Sequence, residues 1–324
     1  MQRSVNDKSR LEAIDFARGA ALVAMAIYHF AWDLEFFGYA PVGMTASGGW
    51  RVFARCIASS FLFLVGVSLV LAHARGVRWP PFLKRIAMVG VAAAAISLVT
   101  WIAVPGGFIF FGILHQITLA SLLGIAFLRL PPTLVILIGA FVIAAPQFMR
   151  SAAFDHPSLW WVGLSSTNPR SNDYVPLFPW FGVVLLGIAA GRIASEQGLI
   201  ERFRSATLPP WTRLVQKAGQ HSLAFYLIHQ PILIGAIWLF SQVIPPSPAP
   251  RDMVFMQACN AQCVENQSVE FCSVYCVCML DRLERAEIFD QVYEGRPDEQ
   301  SSQRLQDFVE ACSYEAEFSG EDNQ

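Results

Sequence analysis

The sequence predicts an all-α protein, a polytopic transmembrane bundle of about seven helices followed by a small, cysteine-rich, mostly helical C-terminal tail. Hydrophobic residues make up 54% of the 324 residues and charged residues only 15%, whereas a soluble domain has about 25% charged residues. Apolar runs of about 17–26 residues recur between Pro, Gly or polar breaks, near the ~20 residues that cross a bilayer. Seven such runs argue against a soluble helical core.

The seven predicted spans define the first of three regions. They are residues 13–38, 52–74, 84–104, 107–128, 132–149, 176–194 and 222–244. The first run follows a polar start and is long enough to span, so it is interpreted as an uncleaved anchor rather than a signal peptide. The resulting regions are a transmembrane domain (1–244), a Pro-rich linker (245–252) and an acidic tail (253–324).

Charge differs sharply between the two ends of the chain. Residues 1–250 hold 18 basic and 9 acidic residues, whereas residues 251–324 hold 5 and 16. In a membrane protein the basic excess is an orientation signal and not an indication of nucleic-acid binding. Thirteen basic residues lie in alternate loops: Arg3, Lys8, Arg10, Arg75, Arg78, Lys84, Arg85, Arg129, Arg192, Arg202, Arg204, Arg213 and Lys217. The opposite loops hold Arg51, Arg150 and Arg170. The amino terminus is therefore predicted to be cytoplasmic and the tail extracytoplasmic.

Six of the seven cysteines lie in the tail, where an oxidising compartment favours disulfides. The candidates are Cys259, Cys263, Cys272, Cys276, Cys278 and Cys312. The first four form two CxxxC pairs, and positions i and i+4 share one helix face, so two helices in a hairpin are stapled by two disulfides. A metal site is less favoured because the tail has no histidine. Cys56 is predicted to be a small buried packing residue.

The tail beyond the linker falls into two predicted parts. Residues 253–293 have a helical pattern, and residues 294–324 are polar and predicted to be partly disordered. The long loop 150–175, with Asp155, Trp160, Trp161, Asn168 and Asp173, is predicted to cap an external site.

Ionisable residues inside membrane spans are costly and are therefore candidates for function. Asp15 and Arg18 lie at i, i+3 near the cytoplasmic end of the first span. They form either a local ion pair or an anion site in which Arg18 meets a phosphate. His29 lies deeper, with Asp33 at i+4 on the same face, and this pair is either a general base with its orienting carboxylate or a structural histidine.

Further polar residues lie in the second, fourth and seventh spans. By depth, Arg55, His115 and Gln116 lie towards the outer side, at the level of His29. His229, just before Pro231, is predicted nearer the cytoplasmic side, as a ligand contact or as part of a kink. Three other histidines, His73, His156 and His221, are predicted to be solvated. The sequence has no hydrolase elbow, phosphate-binding Gly loop, dinucleotide fingerprint or HExxH motif.

Six short segments, in this order, carry a family resemblance: RLEAIDFARG (10–19), YHFAWDL (28–34), FLFLVGVS (61–68), FGILHQ (111–116), FPWFG (178–182) and SLAFYLIHQP (222–231). Together they resemble the heparan-alpha-glucosaminide N-acetyltransferase-like membrane family, most closely its short bacterial members. The resemblance spans residues 10–231 and leaves the tail uncovered.

The resemblance implies transmembrane acyl transfer, from an acyl-CoA bound on the cytoplasmic side to an acceptor on the far side. In the lysosomal enzyme, the proposed acetyl-bearing histidine lies in the loop between the first two matching helices. The corresponding loop here, around residues 45–47, has no histidine, so an acetyl-histidine at that position does not carry over.

The sequence-based hypothesis is a membrane acyltransferase in the inner membrane with acetyl-CoA as co-substrate, no tightly bound cofactor, and an envelope glycan or small molecule as acceptor. The catalytic candidates are His29, Asp33 and His115. The acyl-CoA-binding candidates are Asp15, Arg18 and His229. The acceptor-binding candidates are Arg55, Gln116 and Trp180. The alternatives are a small-solute carrier and a non-enzymatic scaffold that displays a partner-binding tail.

Overall fold

A computed structural model describes residues 11–41, 43–73, 76–167, 169–205, 208–246, 250–264 and 267–319. Within these ranges the chain is helical and has no β-strand, which confirms the all-α class. The chain divides into two compact units, Met1–Pro245 and Pro246–Gln324. Five residues used in the sequence arguments lie outside the described ranges: Arg3, Lys8, Arg10, Arg75 and Asn168.

The first unit contains nine α-helices within the described residues. They are α1 (Glu12–Phe36), α2 (Gly48–His73), α3 (Trp79–Ala103), α4 (Ile113–Gly124), α5 (Pro132–Ala144), α6 (Leu177–Glu196), α7 (Leu199–Ser205), α8 (Arg213–Gln220) and α9 (Ser222–Val243). In the described part of the chain, α1, α2, α3, α6 and α9 are long and apolar enough to cross a membrane, and two shorter apolar helices, Ile113–Phe127 and Pro132–Gln147, contain α4 and α5. The chain is an integral membrane protein, and these seven segments correspond to the seven predicted runs.

Helices α4 and α5 are shorter than their predicted spans because prolines and glycines interrupt them. The fourth run was predicted from residue 107, but Pro105–Gly107 form a separate 3-10 turn and α4 begins only at Ile113. Pro146 lies two residues beyond the end of α5. Helices of 12 and 13 residues reach about 18–20 Å, less than the ~30 Å hydrocarbon layer.

Glycines allow the backbones of α2 and α6 to approach closely. A Cβ added to Gly66 would lie 2.1 Å from the carbonyl oxygen of Val184, and one added to Gly187 would lie 2.2 Å from that of Phe63. Small residues at such contacts are typical of membrane helices, where van der Waals packing replaces the hydrophobic effect between helices.

The interior and the surface of the bundle are both apolar, as expected for a protein solvated by lipid. Leu62 and Leu185 are fully buried, while Val91 and Ile102 are 71% and 75% exposed. Exposed apolar side chains of this size are stable when lipid covers them. Cys56 is also exposed, so its predicted role as a buried packing residue is wrong. It lies on the side of α2 that points away from the core.

The second unit contains four helices within the described residues. They are α10 (Arg251–Cys263), α11 (Val269–Arg285), α12 (Phe289–Tyr293) and α13 (Glu299–Ser319). Helix α10 begins inside the predicted linker, whose residues 247–249 lie outside the described ranges. The predicted disorder of residues 294–324 is wrong for α13. This helix buries Cys312 and Ala316, so it has a packed face that its polar composition does not reveal.

Three disulfides join the helices of the second unit, as the sequence predicted for its cysteines. Cys259–Cys276 and Cys263–Cys272 link α10 to α11, which confirms the predicted double staple between the CxxxC pairs. Cys278–Cys312 joins α11 to α13. Cys278 and Cys312 also form a buried cluster with Met279. The third disulfide and this small core therefore stabilise the same contact, between α11 and α13.

Candidate active site

Helix α1 carries four ionisable residues on one face, here called the α1 polar stripe: Asp15, Arg18, His29 and Asp33. Eleven residues separate Arg18 from His29, close to three turns of 3.6 residues, so both lie on the side of fully buried Leu22. Asp15 and Asp33 are 8% and 0% exposed. The stripe therefore connects two polar sites inside the bundle, separated by about 16 Å along the axis.

The first site surrounds Arg18. Its guanidinium lies 3.5 Å from the carboxylate of Asp15 and donates a hydrogen bond to the Ser68 hydroxyl of α2. Arg85 of α3 lies close enough for the two positive charges to repel. Among the described residues, Oδ2 of Asp15 has no hydrogen-bond partner. The predicted local ion pair therefore forms, whereas the anion site at Arg18 stays a prediction.

The second site is a pair of histidines from α1 and α9. The rings of His29 and His229 are 5.0 Å apart and meet edge to face. Phe225 stacks on His229 at 6.1 Å, nearly parallel. His229 is 8% exposed. Two imidazoles thus meet in a largely apolar interior.

The depth of His229 differs from the sequence prediction, which put it nearer the cytoplasmic side than His29. Helix α8 packs along the first half of α1, where a Cβ on Gly219 would lie 1.9 Å from the carbonyl oxygen of Asp15. Helix α9 therefore begins partway into the bundle, and its His229 reaches His29 within two turns. The hydropathy pattern does not predict where α9 begins within the bundle, because α8, which packs beside α1, is polar and does not look like part of the bundle.

Asp33 pairs with α9 rather than with its own helix. The amide Nε2 of Gln230 donates a 2.7 Å hydrogen bond to Asp33 Oδ1. Within the described ranges, Oδ2 of Asp33 and Oε1 of Gln230 have no hydrogen-bond partner. The structure brings Asp33 to Gln230 and His29 to His229, and the orienting effect of Asp33 on His29 stays a prediction.

The hydrogen bonding of His229 defines its tautomer. Nδ1 lies 2.7 Å from the backbone carbonyl oxygen of Tyr226. A carbonyl can only accept, so Nδ1 carries the proton and, in the neutral ring, Nε2 is an acceptor. In the part of the chain that the structure describes, this buried Nε2 has no hydrogen-bond partner. His229 therefore has the arrangement of a general base, with one nitrogen fixed and the other available.

His115 occupies a different place from the histidine pair. Its Nδ1 accepts from the backbone N–H of Gly112 at 3.2 Å, and its Nε2 lies 3.2 Å from the hydroxyl of Ser97. Because both ring nitrogens are engaged, His115 closes the turn before α4. Its catalytic role stays a prediction.

The three acceptor-binding candidates have contrasting environments. Arg55 is exposed, and Trp180 packs against the main apolar core. Gln116 is fully buried, and neither of its amide atoms has a partner among the described residues. A buried unpaired amide is costly, so Gln116 is the candidate of the three whose environment calls most clearly for a polar contact.

The remaining histidines and the long loop have structural explanations. His156 and His221 are exposed, in agreement with their predicted solvation, whereas half-buried His73 packs on Phe82 at 5.3 Å. In the loop, the Asp155 carboxylate accepts hydrogen bonds from the hydroxyls of Ser165 and Ser166, which lower its pKa. The predicted capping of an external site by this loop stays a prediction.

Three residues near the two sites are not among the site candidates that the sequence predicts, although one of them, Asp173, belongs to the loop predicted to cap an external site. Ser68 meets Arg18, and Tyr226 lies between His229 and the loop residue Asp173. Serine and tyrosine do not stand out in an apolar span, and Asp173 is far from the histidines along the chain. Among the described residues, no cluster of three His, Cys, Asp or Glu side chains is positioned to hold a metal ion.

The fold and the site define a class, a polytopic helical membrane protein whose α1 polar stripe carries a cationic site and one member of a histidine pair, the other member being His229 of α9. The chain matches the family heparan-alpha-glucosaminide N-acetyltransferase, catalytic, over residues 10–231. It belongs to this family, which implies a transferase. No curated protein and no solved structure gives a significant match.

Proposed function

We propose that the protein is an acyl-CoA-dependent transmembrane acyltransferase. It transfers an acetyl group from acetyl-CoA, bound at the cytoplasmic end of the bundle, to an amine or hydroxyl on the other side of the inner membrane. The observation that carries the proposal is the α1 polar stripe, which aligns an arginine site with a histidine pair whose Nε2 acceptor is available. Family membership supports the reaction class.

The donor end of the proposed path is Arg18. A guanidinium recognises phosphate through charge-assisted, often bidentate hydrogen bonds, and Arg85 adds a second positive charge nearby. Ser68 holds the guanidinium from α2. The pantetheine arm then extends along α1 for the three turns between Arg18 and His29 and presents the thioester to the histidine pair.

The chemical step needs one general base. Nε2 of His229 takes the proton from the acceptor amine or hydroxyl as its nitrogen or oxygen forms a bond to the thioester carbon. The C–S bond breaks, the imidazolium returns the proton to the CoA thiolate, and the products are the acetylated acceptor and free CoA. His29, 5.0 Å away between ring centres, lies where it can donate to the developing oxyanion.

The test uses sealed proteoliposomes loaded with glucosamine, with acetyl-CoA added outside. The wild-type protein is expected to accumulate N-acetylglucosamine inside. His229→Gln removes the base and is expected to lower kcat by at least about 100-fold, since positioned acid–base groups contribute about 10²–10⁴. Its affinity for acetyl-CoA should stay unchanged because the donor phosphate is bound three turns away.

The matched control is His221→Gln, at the exposed start of α9, which should retain the wild-type rate. Full activity of His229→Gln in a cooperatively melting sample would contradict the assigned base. Glucosamine flux without acetylation would instead favour a carrier.

A further inference from the structure

An aspartate that belongs to a loop, and not to a membrane helix, contacts the first residue of α4. Asp173 lies in the loop before α6, and its Oδ2 accepts a 2.9 Å hydrogen bond from the backbone N–H of Ile113. The fit is tight, because a Cβ added to Gly112 would lie 2.3 Å from the same oxygen. Asp173 thereby caps the first turn of α4, where a carboxylate is favoured.

Backbone hydrogen bonds tie the loop to the segment before α4 on both sides of Asp173. The backbone N–H of Asn172 donates to the carbonyl of Gly107 at 2.9 Å, and that of Val175 donates to the carbonyl of Phe111 at 3.0 Å. Two main-chain hydrogen bonds thus flank the carboxylate on both sides. A group fixed in this manner can position another side chain.

The second neighbour of Asp173 is Tyr226 of α9, whose hydroxyl lies near enough to act on the carboxylate as a hydrogen-bond donor and to lower the pKa of Asp173. Burial raises the pKa of Asp173 to about 6, against the opposing hydrogen bonds from Ile113 and Tyr226.

Tyr226 connects this anchor to the histidine site. Its hydroxyl is tied to Asp173, and its own carbonyl oxygen accepts from Nδ1 of His229 at 2.7 Å. The rings of Tyr226 and His229 also contact each other, 5.7 Å apart. One residue therefore carries both the link to the outer loop and the group that fixes the histidine tautomer.

We propose that Asp173 and Tyr226 are positioning residues that hold His229 in its Nδ1–H tautomer and aim Nε2 at the reacting groups. This role rests on the proposed acyltransferase function. It explains why a loop outside the membrane is packed so closely on the turn before α4. Loss of the link frees the Tyr226 ring, the imidazole samples other orientations, and Nε2 leaves the reactive geometry in part of the population.

The first experiment measures the tautomer directly, so it does not depend on activity. Detergent-solubilised full-length protein is labelled with ¹⁵N-histidine, and the His229 resonances are assigned from their loss in His229→Gln. The wild type is expected to show a protonated Nδ1 and an unprotonated Nε2. Tyr226→Phe keeps the carbonyl but frees the ring that packs on the imidazole. It is expected to show a mixture of tautomers, because the imidazole then turns away from the carbonyl in part of the population.

The control is Tyr174→Phe, which removes a 2.7 Å hydrogen bond to the carbonyl of Trp160 in the same loop and leaves the Asp173 carboxylate and its hydrogen bond to Ile113 unchanged. It should retain the wild-type spectrum. Asp173→Asn keeps one oxygen acceptor and should lie between wild type and Tyr226→Phe, which gives a second reading if Tyr226→Phe is poorly folded. A wild-type spectrum in both variants would overturn the proposal.

The second experiment measures acetyl transfer with the same variants. Tyr226→Phe is expected to lower kcat by about 100-fold, the scale of a 1 Å misplacement, with the affinity for acetyl-CoA unchanged. The double variant Tyr226→Phe/Asp173→Asn should be no slower, because both changes break one link. If the losses in kcat of the two single variants added up in the double variant, the proposed link between Asp173 and Tyr226 would be contradicted. Absence of transfer by the wild type would count against the proposed function and leave the tautomer result valid.

Discussion

The two units of this protein hold their helices together by different means. In the membrane unit, helix backbones meet at glycines such as Gly66 and Gly187, and the exposed surface is apolar because lipid covers it. In the tail unit, three disulfides join α10, α11 and α13 around a small cluster that includes Met279 and Cys312. Shape complementarity stabilises the first unit, and covalent links stabilise the second.

The comparison explains where each unit tolerates polar residues. The tail carries 16 acidic residues after residue 250 and still folds, because its cross-links restrict the unfolded chain. Among the described residues of the membrane unit, the buried carboxylates Asp15 and Asp33 belong to the α1 polar stripe, and His229 is one of its partners. Their cost in an apolar interior favours a functional role.

Reduction of the disulfides should have the largest effect and should be confined to the tail. Loss of one native disulfide costs about 2–5 kcal/mol, and a small unit with few buried apolar side chains is expected to lose its helices when all three are reduced. Hydrogen exchange measured by mass spectrometry should show residues 251–319 losing protection while α1–α9 keep theirs. The Cys56→Ser variant, which lacks the exposed free thiol, controls for reaction at that site. Retained protection throughout the reduced tail would contradict this account of its stability.

A larger side chain at a helix contact should destabilise only the membrane unit. Gly187→Ala places a methyl group 2.2 Å from the carbonyl oxygen of Phe63, so α2 and α6 must separate, at an expected cost of about 2–3 kcal/mol. The matched control is Gly235→Ala in α9, where an added Cβ meets nothing within 4 Å, and which should be neutral or slightly stabilising. The melting temperature of the purified protein in detergent checks both. Equal melting temperatures of Gly187→Ala and Gly235→Ala would refute the explanation that close packing at Gly187 stabilises the membrane unit.

Much of this architecture follows from the sequence by direct physical rules. The length of the apolar runs predicts the spans, and the i, i+4 spacing of Cys259/Cys263 and Cys272/Cys276 predicts their double staple. The Cys278–Cys312 link was not assigned, since it requires α13 to be ordered, and the polar sequence of α13 hides its packed face.

The site was only partly predictable for a related reason. The spacing of Arg18, His29 and Asp33 along one helix identifies the α1 polar stripe. The pairing of His29 with His229 depends on how far α8 displaces the start of α9, which is a tertiary contact. Likewise, Asp173 reaches Tyr226 only through the path of a loop, and periodicity carries no signal for it.

The most direct test of the central claim is acetyl-CoA binding, because it does not require the acceptor to be known. Acetyl-CoA should raise the melting temperature of the detergent-solubilised protein, with about 2.7 kcal/mol of stabilisation at 100 times Kd. Arg18→Ala should weaken binding by at least about tenfold, the equivalent of one charge-assisted hydrogen bond. Exposed Arg129, which the loop charges predict to lie on the same side of the membrane as Arg18, provides the matched control, and Arg129→Ala should bind as the wild type does. Absence of any shift at millimolar acetyl-CoA, in a sample that melts cooperatively, would contradict the acyltransferase assignment.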